Sequence, residues 1–236
     1  MTLELSESTI CIVGGGPAGS VIAIRLADLG HKVCLIERRH LPRKHVGQSI
    51  TPGVCKQLDF LGISSILVDG VIGRVSYAES LWGDGRVHHR IRQDSGSIVD
   101  RGRFDQSLIE HAKRRGVQIL EQHKVRRLRR TTSSWSMEVC GPEGIFELTA
   151  DFVVDAAGRA GILPRTRMRT APETVALFGG WQGVGLPAHP VIVAGQREWY
   201  WSAPMSDGTS CAMVFLAPEF LAERSHSVEQ FYQNLV

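Results

Sequence analysis

Residues 10–19, Ile-Cys-Ile-Val-Gly-Gly-Gly-Pro-Ala-Gly, decide the fold of the first part of this chain. The apolar run before the glycines predicts a buried parallel strand, and Pro17 suits the first turn of a helix. Apolar positions after Gly19 give that helix a buried face, and Gly30 should end it. A second strand is predicted from His31 to Glu37, so the glycines lie in the strand-to-helix turn of one βαβ unit.

The spacing Gly14-x-Gly16-x-x-Gly19, followed by Glu37, is typical of a dinucleotide site. Gly14 permits the tight turn, Gly16 lets a pyrophosphate approach the backbone, and Gly19 allows close packing of helix and strand. The N–H groups at the helix N-terminus attract the anion. Glu37 can accept hydrogen bonds from the ribose hydroxyls, and its charge disfavours a 2′-phosphate even though Arg38 follows it.

Length and composition are those of an α/β protein with one large domain or two small ones: 236 residues, 43% hydrophobic and 22% charged. No run of about 18 apolar residues is present, and the N-terminus lacks the apolar core of a signal peptide. A cytoplasmic protein without a membrane span is therefore expected. The five cysteines are scattered and the histidines lack partners at ligand spacing, so neither a disulfide framework nor a metal site is predicted.

Basic residues are concentrated between Lys113 and Arg130, although the net charge is only +3. A solvated surface is the simplest interpretation of this segment, and an acidic protein partner is the next. Nucleic acid is the least expected partner, because no aromatic residues interleave with the basic ones to stack on bases.

Three later segments add to the evidence that the glycine turn provides. They are Gly47-Gln48-Ser49-Ile50-Thr51-Pro52, Arg101-Gly102-Arg103-Phe104-Asp105 and Val153-Val154-Asp155-Ala156-Ala157-Gly158-Arg159. Together these segments resemble the FAD-dependent monooxygenase superfamily, in its branch of flavin-dependent halogenases and halogenase-like hydroxylases. The segment Trp199-Tyr200-Trp201-Ser202-Ala203-Pro204 resembles the halogenase signature W-x-W-x-I-P. The resemblance extends from about Thr9 to the end of the chain.

The resemblance implies an α/β fold: a glutathione-reductase-type Rossmann FAD-binding domain with an inserted or adjoining antiparallel β-sheet substrate domain. The implied boundaries are 1–73 and 93–165 for the FAD-binding domain, and 74–92 and 166–236 for the substrate domain. The family's third cofactor motif, a Gly-Asp segment before the helix that points at the flavin, is not recognised in the chain. We therefore expect an N-terminal portion whose substrate domain is incomplete at the C-terminus, and which alone holds flavin weakly and is inactive.

The resemblance also implies a set of FAD-binding residues. Arg103 would contact the FAD phosphates, and backbone groups at Val125 would meet the adenine. Asp155 and Gly158 belong to the second cofactor motif. The full set is Gly14, Gly16, Ala18, Gly19, Glu37, Arg38, Gln48, Ser49, Arg103, Val125, Asp155 and Gly158. No catalytic residue is assigned.

A missing lysine separates this chain from the halogenases. Halogenases carry a lysine that receives hypohalous acid in a segment corresponding to 76–82, and the nearest lysines here are Lys56 and Lys113. The resemblance therefore implies hydroxylation of an electron-rich aromatic, an indole or phenol, by oxygen insertion from a flavin C4a-hydroperoxide. A narrower hypothesis is hydroxylation of a tryptophan side chain in a peptide during tryptophylquinone cofactor biogenesis.

Three alternatives remain open: a flavin-dependent halogenase, a flavin reductase of the geranylgeranyl-reductase type, and a non-catalytic nucleotide- or RNA-binding module. For the hydroxylase, the expected partners are an aromatic small molecule or a peptide or protein substrate. The electrons would come from NAD(P)H or from a reductase. Aromatic residues between Val175 and Leu216 would form one wall of the substrate site.

Overall fold

The computed structural model describes residues 2–3, 9–43, 45, 49–65, 70–82, 91–163, 170–183, 189–205 and 207–236. Its contacts divide the chain into two compact units that interleave along the sequence. The first unit consists of Met1–Val46, Leu61–Gly70 and Arg101–Thr166. The second consists of Gly47–Phe60, Val71–Asp100 and Arg167–Val236.

The strands, in chain order, are β1 (Thr2–Leu3), β2 (Thr9–Val13), β3 (Lys32–Glu37), β4 (Ser49–Ile50), β5 (Val71–Leu81), β6 (Ile91–Val99), β7 (Gln118–Glu121), β8 (Lys124–Arg130), β9 (Trp135–Gly141), β10 (Gly144–Ala150), β11 (Phe152–Asp155), β12 (Val175–Trp181), β13 (Val191–Ala194), β14 (Glu198–Pro204) and β15 (Ser210–Leu216). The described helices are α1 (Pro17–Asp28), α2 (Pro52–Phe60), α3 (Arg101–Arg114), α4 (Pro218–Ala222) and α5 (Val228–Leu235).

A parallel sheet forms the centre of the first unit, with the spatial order β11-β2-β3-β7. The inner strands β2 and β3 are almost continuously buried, as expected for parallel strands covered on both faces. Helix α1 connects them. It begins at Pro17, and Gly30 follows its end with a φ of 85°, a conformation that favours glycine.

A second sheet of the first unit has the order β1-β10-β9-β8, and β9 and β10 form the hairpin that the turn residues Gly141-Pro142-Glu143-Gly144 predict. Its apolar side packs against one face of the parallel sheet. The shared core consists of Cys11, Val13, Cys34, Ile36, Met137, Val139, Leu148 and Ala150. This core fixes the ends of β2 and β3, from which the glycine turn and Glu37 project.

Helix α3 begins at Arg101, whereas the sequence pattern predicts a helix from Gln106 to Arg115, five residues later at its start. The buried positions explain the difference, because Phe104, Leu108 and Ala112 are spaced four residues apart and continue one buried face back to the first turn. The segment expected to precede the helix is therefore its first turn. Helix α3 packs against α1.

The second unit is built on a seven-stranded sheet with the order β12-β15-β14-β13-β5-β6-β4. Its pairings are antiparallel except for that of β13 with β5, which is parallel. The sheet is therefore mixed rather than purely antiparallel. The sequence-based boundaries place 47–60, 71–73 and 93–100 in the first domain, whereas the contacts place them in the second unit, because β6 pairs with β5 and α2 packs on β6.

Tyr232 anchors helix α5 to this sheet. Its hydroxyl donates to the Ala212 carbonyl at 2.9 Å and accepts from the Trp181 indole N–H at 2.9 Å. A Cβ at Gly179 would lie 2.8 Å from the Tyr232 ring, so the helix approaches the strand closely only because that residue is glycine.

Candidate functional site

The glycine turn has the geometry that the spacing predicts. Gly14 has a φ of 114°, and a Cβ there would lie 2.3 Å from the Ala156 carbonyl oxygen. A Cβ at Gly19 would lie 1.9 Å from the Gly14 carbonyl oxygen, so the helix and the turn meet too closely for any other residue. At Gly16 the nearest atom to an added Cβ is 3.8 Å away, on Arg43. Gly14 and Gly19 are therefore needed for packing, whereas Gly16 leaves open space.

The N-terminus of α1 faces this open space. Gly16 precedes the helix and has no side chain to cap it. The N–H groups of the first turn have no partners within a helix, and the helix dipole adds positive potential there. The arrangement is suited to binding a phosphate group through the backbone.

Glu37 lies at the end of β3, beside the turn, and only 3% of it is exposed. Its Oε2 accepts the Gly15 N–H at 2.7 Å, and its Oε1 accepts the Arg39 N–H at 2.9 Å. Arg43 approaches the same Oε1 at 3.4 Å. The carboxylate therefore ties the glycine turn to the segment after β3, and it retains lone pairs for further donors.

Two arginines and one buried aspartate form a charge cluster beside Glu37. Arg101 makes a two-pronged contact to Asp105, with Nε to Oδ1 at 3.0 Å and Nη2 to Oδ2 at 3.1 Å. Arg43 reaches the same Oδ2 at 3.5 Å. Asp105 is fully buried, while the side chains of Arg43 and Arg101 are each 15% exposed.

Asp155 shapes the loop on the other side of the turn. Its carboxylate accepts the N–H groups of Ala157, Ile162 and Leu163 at 2.9 to 3.2 Å. The loop between them includes Gly158, with a φ of 67°. Asp155 thus fixes the conformation of this loop through its backbone N–H groups.

These elements enclose a cavity of about 590 Å³, all of whose lining belongs to the first unit. Its lining residues are Val13, Gly14, Gly16, Pro17, Ala18, Ile36, Glu37, Arg38, Arg43, His45, Arg101, His123, Lys124, Val125, Ala156, Ala157, Gly158, Arg159, Ala160, Gly161 and Ile162. The cations outnumber the single carboxylate of this set, so the cavity is suited to an anionic ligand.

The cavity fits the ADP half of FAD on three observations. The open face of Gly16 and the free helix N-terminus suit a pyrophosphate. The Nε of Arg43 is buried and has no hydrogen-bond partner among the described residues, so it lacks an acceptor that a ligand oxygen would supply. Glu37 offers acceptor oxygens at the end of β3, where an adenosine ribose would lie.

A family model described as FAD binding domain matches residues 7–226. The chain belongs to this family. The tryptophan 2-halogenase of Chondromyces crocatus is 32% identical over 253 residues, covering 98% of this chain and 48% of that protein. The flavin-dependent halogenase CmlS shares the fold, with a TM-score of 0.83 at 24% identity, covering 98% of this chain and 46% of that chain.

A further solved structure is that of the peptidyl tryptophan dihydroxylase QhpG, essential for tryptophylquinone cofactor biogenesis. It is 28% identical, with a TM-score of 0.71, and the match covers 90% of this chain and 46% of that chain. The chain spans about half the length of the curated relatives it matches. The cofactor of the FAD-binding domain is FAD, which agrees with the expectation from the glycine turn and Glu37.

The first unit gathers most of the sequence-predicted residues around one cavity. Gly19 and Asp155 lie behind its lining, where they support the turn and the loop. Those that line it are Gly14, Gly16, Ala18, Glu37, Arg38, Val125 and Gly158.

Arg103 and Ser49 are the other described residues of the predicted set that do not line the cavity. Arg103 is exposed, and the structure places Arg101 in the cavity instead. Two residues along a helix is about 200°, so the two arginines of the first turn of α3 point to different sides. Ser49 is exposed on β4 in the second unit, and Gln48 lies outside the described residues.

Sequence reasoning missed Arg43, Arg101, His123 and Lys124 as lining residues. A signal for Arg101 was present, because Asp105 follows it at the i+4 spacing of helical ion pairs. Arg43 reaches the site only through tertiary contacts. None of the described helices is long and apolar enough to cross a membrane.

Proposed function

We propose that the first unit is a glutathione-reductase-type Rossmann domain that holds the ADP half of FAD in the cavity. The backbone N–H groups of Gly16 and Ala18 bind the pyrophosphate, and Arg43 and Arg101 balance its charge. Glu37 accepts hydrogen bonds from the adenosine ribose, and the backbone at Val125 meets the adenine. The single observation that carries this assignment is that the open turn at Gly16 faces two arginines and Glu37 in one cavity.

We propose further that the whole protein is an FAD-dependent monooxygenase that hydroxylates an electron-rich aromatic ring. Reduced FAD supplies the electrons that activate dioxygen. One oxygen atom enters a C–H bond of the substrate, and the other leaves as water with two electrons and protons from NAD(P)H or a reductase. The protein's task is to bind and orient the ring and to exclude water from it.

The sequence of β5 supports hydroxylation rather than halogenation. The segment 76–82, which corresponds to the lysine-bearing segment of the halogenases, contains no lysine, and none occurs between Lys56 and Lys113. A halogenase needs that amine to hold the oxidised halogen, whereas a hydroxylase does not.

The aromatic face of the second unit supports an aromatic substrate. Trp199 stacks on Phe215, with 3.8 Å between ring centroids and 5° between planes. Strand register places Trp201 and Phe178 on the same side of the sheet, through their pairing with Met213. Phe178 is 61% exposed. Such a face can pack against an indole or phenol ring.

The test uses the full-length protein with FAD, NADPH or a flavin reductase, and ¹⁸O-labelled dioxygen. We expect a free aromatic or a tryptophan-containing peptide to gain one labelled oxygen, detected by mass spectrometry. Substrate-independent NADPH oxidation, with no labelled product from a panel of indoles, phenols and peptides, would contradict the proposal.

Halogenation is the second candidate, because the tryptophan 2-halogenase of Chondromyces crocatus is 32% identical across nearly the whole chain. The same assay with added chloride or bromide separates the two reactions. The hydroxylase predicts the labelled oxygen with or without halide, whereas a halogenase yields a product in which halogen replaces hydrogen and which requires halide.

The similarity to the peptidyl tryptophan dihydroxylase favours a narrower substrate, a tryptophan side chain within a peptide. Free tryptophan and a tryptophan-containing peptide, compared in the same assay, test this choice. Efficient hydroxylation of the free amino acid, with the peptide left unchanged, would contradict the peptide substrate while leaving the monooxygenase intact.

A further inference from the structure

We propose that Asp105 is a positioning residue of the cofactor site, which presents Arg43 and Arg101 together to the anionic part of FAD. The inference rests on the proposed FAD site and assigns a function to a residue outside its lining. Asp105 lies in the first turns of α3 and is fully buried. It cannot touch the ligand itself, so any effect on binding passes through its arginine partners.

The contacts define how Asp105 acts. Arg101 uses two nitrogens on the two carboxylate oxygens, which fixes the plane of its guanidinium. Arg43 approaches one of the same oxygens, Oδ2, so both guanidinium groups converge on one atom. Arg101 thus has a defined orientation, and Arg43 is drawn to the same side of the cavity.

Charge explains why a carboxylate is needed at this position. Two guanidinium groups that share a cavity wall repel each other, and a fully buried carboxylate between them offsets this repulsion. Glu37 balances Arg43 on its other side, at 3.4 Å. Without Asp105, Arg43 and Arg101 would turn toward solvent, and the cavity would lose its ordered pair of cations.

A merely structural role for Asp105 makes a different prediction from a positioning role. Loss of packing would weaken all ligands of the cavity alike. Loss of ordered arginines would weaken only ligands that carry phosphate. The ratio of ADP affinity to adenosine affinity therefore separates the two roles.

The experiment measures ADP and adenosine binding to the full-length apoprotein by calorimetry. For Asp105→Asn we expect ADP affinity to fall on the order of 10- to 100-fold while adenosine affinity changes little. Glu110→Gln is the matched control, because it removes a carboxylate from the exposed side of the same helix, where Glu110 pairs with Gln106. Its ADP to adenosine ratio should equal that of the wild type.

A further variant keeps the proposal testable if Asp105→Asn unfolds. Asp105→Glu retains the charge and moves the oxygens, so it should lower the ADP to adenosine ratio by less than Asp105→Asn does. Where Asp105→Asn folds, a double variant adds a second test: Arg43→Gln removes one partner, so adding Asp105→Asn to it should cost less ADP affinity than Asp105→Asn costs alone.

The outcomes separate this proposal from the proposed function. A folded Asp105→Asn or Asp105→Glu protein with the wild-type ratio overturns the positioning role. A wild-type protein that binds neither ADP nor FAD overturns the cofactor site itself.

Discussion

The three motif glycines differ in what their missing side chains permit. At Gly19 the missing Cβ allows contact inside the protein, with the Gly14 carbonyl 1.9 Å from where that atom would be. At Gly16 the missing Cβ leaves room in the cavity for a bound ligand. A single sequence motif thus combines packing positions with a binding position, and mutation can separate them.

Gly19→Ala should destabilise the fold, whereas Gly16→Ala should weaken the cofactor site alone. For Gly19→Ala we expect a loss of about 1–3 kcal/mol in the free energy of unfolding, because the helix must move away from the turn. Gly16→Ala should keep the wild-type stability and bind ADP less tightly. Denaturant unfolding and ADP titration measure the two effects. Equal stability losses in both variants would contradict the distinction.

At this scale, the sequence predicted the turn well because the roles of its glycines are local. The identity of the phosphate-facing arginine was harder to predict. Arg101 and Arg103 lie in one turn of α3, and only packing of Phe104 and Asp105 inward decides which arginine reaches the cavity. Arg43 depends on contacts to Glu37 and Asp105 that no local pattern specifies.

Helix α3 contains a histidine whose environment favours the neutral ring. Burial lowers the pKa of His111 below its usual 6.5, and the charges of Arg114 and Arg115 lower it further. Its Nδ1 lies 3.2 Å from Arg114 Nη2, a contact in which the neutral ring accepts and the protonated ring cannot. Protonation of His111 therefore destabilises the packing at the C-terminal end of α3.

The stability of the protein should fall as the pH drops below about 6.5, partly because of His111. The pKa of His111 is lower in the folded protein than in the unfolded chain. The unfolded chain therefore binds more protons in this range, and a falling pH stabilises it relative to the folded protein. We expect His111→Gln, which keeps an acceptor for Arg114, to lose less stability between neutral and mildly acidic pH. Urea titrations at several pH values provide the measurement. An identical pH dependence for both proteins would exclude a contribution from His111.

Helix α5 packs on the seven-stranded sheet through apolar side chains, and the Tyr232 hydroxyl adds hydrogen bonds to two partners. Tyr232→Phe would leave the Ala212 carbonyl and the Trp181 N–H without that partner. We expect a loss of about 1–3 kcal/mol in the free energy of unfolding. Tyr200→Phe serves as the control, since that hydroxyl donates to Glu198, a carboxylate that water can reach. Tyr200→Phe should lower the free energy of unfolding by less than Tyr232→Phe does, and a larger loss would contradict this account.

The elements of the second unit show which structural features sequence patterns do not predict. An antiparallel sheet over 74–92 and 166–236 was expected from the family resemblance, without bounds for its individual strands. The parallel pairing of β13 with β5 was not, since it joins Val191 and Glu79, more than a hundred residues apart in the chain. Helix α2 likewise joins the second unit through contacts with β6 rather than through its neighbours in sequence.

At the scale of the whole molecule, the cavity belongs to one unit, and its ligand should stabilise that unit. ADP at a free concentration of about 100 times its dissociation constant adds about 2.7 kcal/mol of stability to whatever binds it. We expect hydrogen exchange to slow in 9–43 and 101–163 and to stay unchanged in the β12–β15 region. Equal slowing in both units would show that they unfold together.

The loop behind Asp155 has a consequence for how the cofactor arrives. Its three backbone N–H groups are already satisfied by a side chain of the protein, so the loop is ordered during folding and not by the ligand. Binding then has a small entropic cost for this wall of the cavity. We therefore expect the apoprotein to rebind added FAD, because this wall of the cavity does not depend on the cofactor for its hydrogen bonds.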